Sequence, residues 1–173
     1  MACGSLLRGW ALAQQEAQEG IEQMHQGLRA HRGTGAALLR PYFLGLLAEV
    51  YGTLGEPEAG LTALAEALTL AEITGERWYE SECHRLKGEL LLQQSSSNQT
   101  EAESCFHQAI AEAQNQQAKS HELRSATSLA HLWQSQGKRD EALELLEPVY
   151  SWFTEGFDTA DLKDAKVLLD ELA

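Results

Sequence analysis

Cys83 beside His84 and Cys105 beside His107 are the residues of this chain whose types suit metal chemistry, since thiolate and imidazole build tetrahedral zinc sites. Zinc needs converging ligands. The neighbouring Cys83 and His84 point about 100° apart on a helix, whereas metal ligands must converge, and no CxxC pair assists them. Cys3, Cys83 and Cys105 form an odd set, as expected where thiols stay reduced. The two paired cysteines read as buried thiols, and His84 and His107 as surface imidazoles. His25, His31, His121 and His131 are scattered and read as surface or packing residues.

Acid–base chemistry finds no better footing. Glu80 with Glu82, and Glu101 with Glu103, lie on different helix faces or at a helix start, where they complement the macrodipole and stay hydrated. No P-loop, GxGxxG, HExxH, GxSxG or EF-hand loop occurs, and the glycines stand singly instead of clustering to cradle phosphate. The expectation is a chain that is not an enzyme, with no catalytic residues, no cofactor and no metal.

What would position any site is a repeat. Gly20, Met24, Gly27, Leu28, Thr34 and Gly35 return 40 residues later as Gly60, Leu64, Ala67, Leu68, Thr74 and Gly75. Gly60, Leu64, Ala67 and Leu68 recur as Ala102, Phe106, Ala109 and Ile110, then as Ala142, Leu146, Val149 and Tyr150. Ala48 and Tyr51 recur as Gly88 and Leu91, then as Ala130 and Trp133. Units of this size cannot bury an apolar face alone and must stack on their neighbours.

Composition sets the element type. Three prolines, few β-branched residues and abundant Ala, Leu, Glu and Gln favour helix over strand. A formal charge of −13 without basic clusters argues against nucleic acid as a partner. No apolar run approaches the ~20 residues needed to span a bilayer, and the opening MACGSLLRGWALA lacks a signal-peptide layout, so a cytoplasmic protein away from membranes is expected.

The spacing predicts a helix from near Gly35 to Gly55, a second after Pro57 with Leu61, Leu64, Leu68 and Leu70, and a third carrying Trp78, Tyr79, Leu86 and Leu90. Thr100 with Glu103 reads as a capping box for the next helix. Another helix spans about 117–136, Gly137 and Asp140 turn into Leu143 and Leu146, and Leu162, Ala165, Leu168 and Leu172 form a final cap. Before Gly35, Trp10, Leu12, Ile21, Met24 and Leu28 suggest a pair with a short first helix and an abrupt apolar end, as in a fragment of a longer protein. A homodimer through that end would hide it.

These small and large positions resemble the tetratricopeptide (TPR) repeat, with Tyr51, Gly55, Gly60, Leu64 and Ala67 as one match. Gly88, Leu91, Ala102, Phe106 and Ala109 make a second, and Ala130, Trp133, Gly137, Ala142 and Leu146 a third. The lengthened period, and the stretches GERWYESECHRLKGELLL and LWQSQGKRDEALELLEPVYSWFTEGFDTADLKDAKVLLDEL, are similar to the carboxyl-terminal region of bacterial multidomain ATPase- or cyclase-type regulators. The resemblance implies an all-α, right-handed superhelical solenoid of antiparallel helix pairs, about nine helices, in one domain. Its units fall near 1–34, 35–74, 75–116 and 117–156, with a capping helix at 158–172.

The same resemblance implies a scaffold or regulatory module that binds a peptide, a helix or an upstream domain of the same polypeptide in a concave groove. It points to Tyr42, Glu49 and Thr53, then Glu82, Arg85, Glu89 and Gln93, then Arg124, Thr127, His131 and Gln134 as groove-facing. Arg85 and Arg124 would anchor acidic groups in two-pronged hydrogen bonds, with Tyr42 as an aromatic contact. The alternative is a small-molecule-sensing segment of a bacterial signalling protein, with a ligand shifting the curvature of the array.

Overall fold

Helix-favouring composition punctuated by glycine gives a run of helices and turns. The computed structural model describes residues 2–33, 35 and 38–173, so the repeat position Thr34 lies outside the described residues. Among those residues the chain forms nine α-helices and no strand. They are α1 (Ala2–Ala13), α2 (Ala17–Gly33), α3 (Arg40–Thr53), α4 (Pro57–Thr74), α5 (Glu80–Gln94), α6 (Gln99–Asn115), α7 (Lys119–Ser135), α8 (Arg139–Ser151) and α9 (Ala160–Leu172), with a 3₁₀ turn at Ser96–Asn98.

The helices pack as hairpins, α1 on α2, α3 on α4, α5 on α6 and α7 on α8, and each hairpin stacks on the next. First helices touch in sequence, α1 on α3, α3 on α5, α5 on α7 and α7 on α9. Among the described residues the second helices α2, α4, α6 and α8 make no such contacts with one another. The array is therefore tighter on the first-helix side, which becomes its concave face. This is an all-α solenoid.

Its core is a seam instead of a ball. Leu6, Met24, Phe43 and Val50 are buried together at one end, Leu64, Ala67, Cys83 and Leu90 in the middle, and Phe106, Leu129, Leu146 and Leu168 at the other. Leu28 and Tyr42 pack against both of the first two clusters and Leu61 against both of the last two, so the apolar contact is continuous. Each fully buried Leu contributes about 1.5–3 kcal/mol. Leu162, Ala165, Leu168 and Leu172 of α9 close the last cluster.

Small residues set the spacing between helices. Gly60 of α4 lies over the Ala48 carbonyl and Leu90, and Gly88 of α5 lies under the ring of Phe106 on α6; a methyl group at either position would meet its neighbour at 2.6 and 2.5 Å, respectively. At helix ends the other property of glycine matters. Gly55 has φ 72° after α3 and Gly137 has φ 79° after α7. In each case the following N–H reaches back to a carbonyl five residues earlier, Glu56 to Tyr51 and Lys138 to Trp133, both at 2.9 Å. These are Schellman-type stops. Gln117 takes the same left-handed geometry at φ 55° with no such exemption from Cβ strain.

Three local expectations are corrected. α3 begins at Arg40, not near Gly35: Leu39 is left-handed at φ 65°, and its N–H donates to both carboxylate oxygens of Glu76, at 2.7 and 2.9 Å. Trp78 and Tyr79 precede α5 because they stack with Tyr42 in one aromatic cluster, with ring centroids 5.1 and 4.8 Å from Tyr42. The Thr100–Glu103 capping box does not form. α6 already starts at Gln99, and Glu103 instead accepts the Trp133 indole N–H at 2.9 Å.

Candidate functional site

The concave face is built by the inward stripe of α3, α5, α7 and α9, and most of its polar residues are held by one another. Glu82 sits at its centre with 1% exposure. Its Oε1 accepts the Arg85 Nε–H at 2.9 Å and a second bond from the same guanidinium, and lies 3.1 Å from Arg124 on the neighbouring helix. Arg85 also pairs with Glu89, which accepts the Ser128 hydroxyl at 2.9 Å. Arg124 continues to Asp161 of α9 at 3.7 Å, and His131 to Asp164 at 3.8 Å. A ladder of alternating charge thus crosses three first helices.

Burial alone would raise the Glu82 pKa, but Arg85, Arg124 and His121 outweigh it and hold the carboxyl below its ordinary value. Arg85 is pushed up: burial opposes its charge, and Glu82 and Glu89 more than compensate. His121 is lowered by burial, with Arg124 and Arg85 adding repulsion against the pull of Glu82 and Asp161. Tyr79, buried against these groups, is raised chiefly by burial and then by Glu82.

Two hollows flank the ladder and share Arg85, Glu89 and Arg124. One, of about 510 Å³, adds Thr127, Ser128, His131, Asp161 and Asp164. The other, of about 340 Å³, adds Glu49, Thr53 and Gln93. Of the groove residues expected from sequence, these hollows gather eight, while Glu82 lies beneath them and Tyr42 and Gln134 line neither. Thr127 is buried and returns its hydroxyl to the Leu123 carbonyl. Gln134 donates to Glu171 at 3.1 Å.

Two anchors behave differently from expectation. Arg85 is not available for a two-pronged grip on a partner, because Glu82 and Glu89 of its own helix occupy it at 8% side-chain exposure. Trp10 does not form an exposed apolar end; it is half-buried and donates its indole N–H to Glu49 at 2.9 Å. Sequence reasoning missed Asp161 and Asp164, although Asp164 continues the register of Glu82 and Arg124. It also missed Trp78, which is 45% exposed beside Tyr42.

The thiols are not brought together. Cys83 packs in the middle cluster and Cys105 in the last, and burial, with Glu82 and Glu80, pushes the Cys83 thiol up to about 12. Among the described residues, the structure gathers no group of three or more His, Cys, Asp or Glu able to hold a metal ion. No helix among them is long and apolar enough to cross a membrane. The expectation that basic clusters are missing is corrected: Arg29, Arg32 and Arg40 line one convex-side cleft.

No protein-family model matches this chain, and no curated protein does. Solved structures do. The crystal structure of a Podosopora anserina putative kinesin light chain, with nearly identical TPR-like repeats, is similar at TM-score 0.69 and 20% identity. A form of that protein carrying one substitution gives 0.71 and 19%, each likeness covering 96% of this chain and 84% of that one. The fold is TPR-like.

Proposed function

We propose that this chain is a single-domain interaction module that receives a peptide or helix along its concave face, including one supplied by another domain of the same polypeptide. The observation that carries the reading is the preformed ladder of Glu82, Arg85, Glu89, Arg124 and Asp161 between two hollows. Its interior charges are already balanced, so a partner need not neutralise them. Contact then falls to the accessible rim: the Tyr42–Trp78 aromatic pair, Gln93, His131 and the carboxylates of Asp161 and Asp164. Rigid aromatics with a polar rim are the anatomy of a modest-affinity peptide site. A cytoplasmic regulatory role beside an ATPase or cyclase module, in a bacterial signalling protein, fits this arrangement.

The test is selection of peptides from a random display library on the whole chain, followed by affinity measurements on Trp78→Ala and on His131→Ala. Weakened binding in both variants, with backbone amide shifts confined to α3, α5, α7 and α9, is expected. Equal affinity for wild type and both variants, or shifts on α4 and α6, would overturn the groove assignment. A second reading, a segment that senses a small molecule, is favoured by the separate cleft of about 420 Å³ between α2 and α4.

A further inference from the structure

Between Gln23 and Ala48 the sequence holds His25, Arg29, His31, Arg32 and Arg40 and no Asp or Glu, in a chain whose formal charge is −13. Folding turns that island into a wall. The backbones of α2 and α4, among their described residues, stay apart, and α3 floors the wedge between them. Arg29 and Arg32 come from α2 and Arg40 from the start of α3. Across the opening, Glu66 of α4 pairs with Arg32 at 3.4 Å and with Arg40. Among the described residues Arg29 meets no carboxylate at ion-pair distance. Three guanidinium groups thus face one carboxylate.

The floor has the opposite character. Leu28, Leu44, Leu47 and Ala63 supply apolar surface, and at one end His25 Nε2 and the Tyr51 hydroxyl are hydrogen-bonded at 2.8 Å. The volume of about 420 Å³ lies within the range of about 300–1,000 Å³ typical of small-molecule sites, which are largely apolar with a few polar groups that fix orientation. Guanidinium forks match carboxylate and phosphate in two-pronged geometry.

We infer that this cleft binds a small amphipathic anion, a carboxylate or phosphate head on a hydrocarbon or aromatic body. The head lies against Arg29 and Arg32, and the body covers Leu44 and Leu47. This supplies a ligand class to the small-molecule reading and rests on it, independently of the concave groove. The ligand would bridge α2 and α3, so its binding fixes the angle of the first hairpin on the rest of the array. Such a bridge biases curvature in proportion to its differential affinity for the two arrangements.

Calorimetric titration of the full chain with octanoate, octyl phosphate, octanamide and inorganic phosphate tests this. One of the two amphipathic anions should bind about tenfold more tightly than octanamide and than phosphate, and Arg29→Gln with Arg32→Gln should weaken it by about tenfold or more. Both arginines are exposed, so the double variant keeps its fold. Lys163→Gln, which removes an exposed positive charge from α9 at the far end of the array, should leave the affinity unchanged. Anions that bind the double variant as well as wild type would overturn the site while leaving small-molecule sensing intact. Binding of octanamide as tight as that of the anions would overturn the ligand class. Absence of binding by all four compounds would remove both the inference and the reading beneath it.

Discussion

A methyl group at position 88 would sit 2.5, 2.8 and 2.9 Å from three atoms of the Phe106 ring. Ordinary carbon contacts lie at about 3.5–4.0 Å, so in Gly88→Ala the ring must retreat by roughly 1 Å. Phe106 has 0% exposure and cannot swing into solvent. Overpacking of this kind costs about 1–3 kcal/mol, against a helix-propensity gain of up to about 1 kcal/mol for replacing glycine. The net expectation is a loss of about 1–2 kcal/mol. Gly4 provides the control, because its Cβ position in α1 meets nothing within 4 Å; Gly4→Ala should stabilise by up to about 1 kcal/mol. Urea unfolding followed by circular dichroism reads both as opposite shifts of the midpoint. Adding Phe106→Leu to Gly88→Ala should recover part of the loss. A Gly88→Ala variant as stable as Gly4→Ala would refute the close approach of α5 and α6.

Glu82→Gln removes a buried charge while keeping its shape, and should cost about 3 kcal/mol, since breaking a buried pair strands its cationic partners. The folded pKa of Glu82 is depressed, so its contribution is fully present above the ordinary glutamate range and is lost as pH falls through the lowered value. The gap between wild type and Glu82→Gln should therefore close in acid unfolding series; a constant gap would contradict the assignment. In mildly alkaline buffer, Ellman's reagent should react rapidly with exposed Cys3 and with Cys83 only on unfolding, given its thiol pKa of about 12. Gln117→Gly should stabilise by about 0.5–1 kcal/mol by removing left-handed strain at φ 55°, and an unchanged melting temperature would argue against that conformation.

The repeat register was legible because it is a packing requirement written in side-chain size. Gly60 and Gly88 sit where backbones or rings approach, and substitution by anything larger changes the spacing. Helix boundaries were legible where glycine marks them, at the stops of Gly55 and Gly137, and hidden where the same hand of backbone is taken by Leu39 before α3 and by Gln117 after α6. The start of α3 depends on Glu76, 37 residues away. No local pattern carries that.

The groove was half legible for a similar reason. Glu82, Arg85 and Glu89 have ion-pair spacing along one helix, but the approach of α7, bringing Arg124, turns that trio from a solvated face into a buried hub. α9 read as a cap through its apolar stripe, and its other face, Asp161 and Asp164, escaped notice although it extends the ladder. Arg29, Arg32 and Arg40 fall on two helices with a turn between, so only the stacking of hairpins reveals that they share a cleft.

The stacking of first helices side by side is what makes both the seam and the groove, and a double-mutant cycle across that contact tests it most directly. Glu82→Gln and Arg124→Gln, on α5 and α7, should show a coupling of about 1 kcal/mol or more in equilibrium unfolding, as residues of one charge network do. Strictly additive losses would mean that the two side chains do not meet and that the concave ladder does not exist.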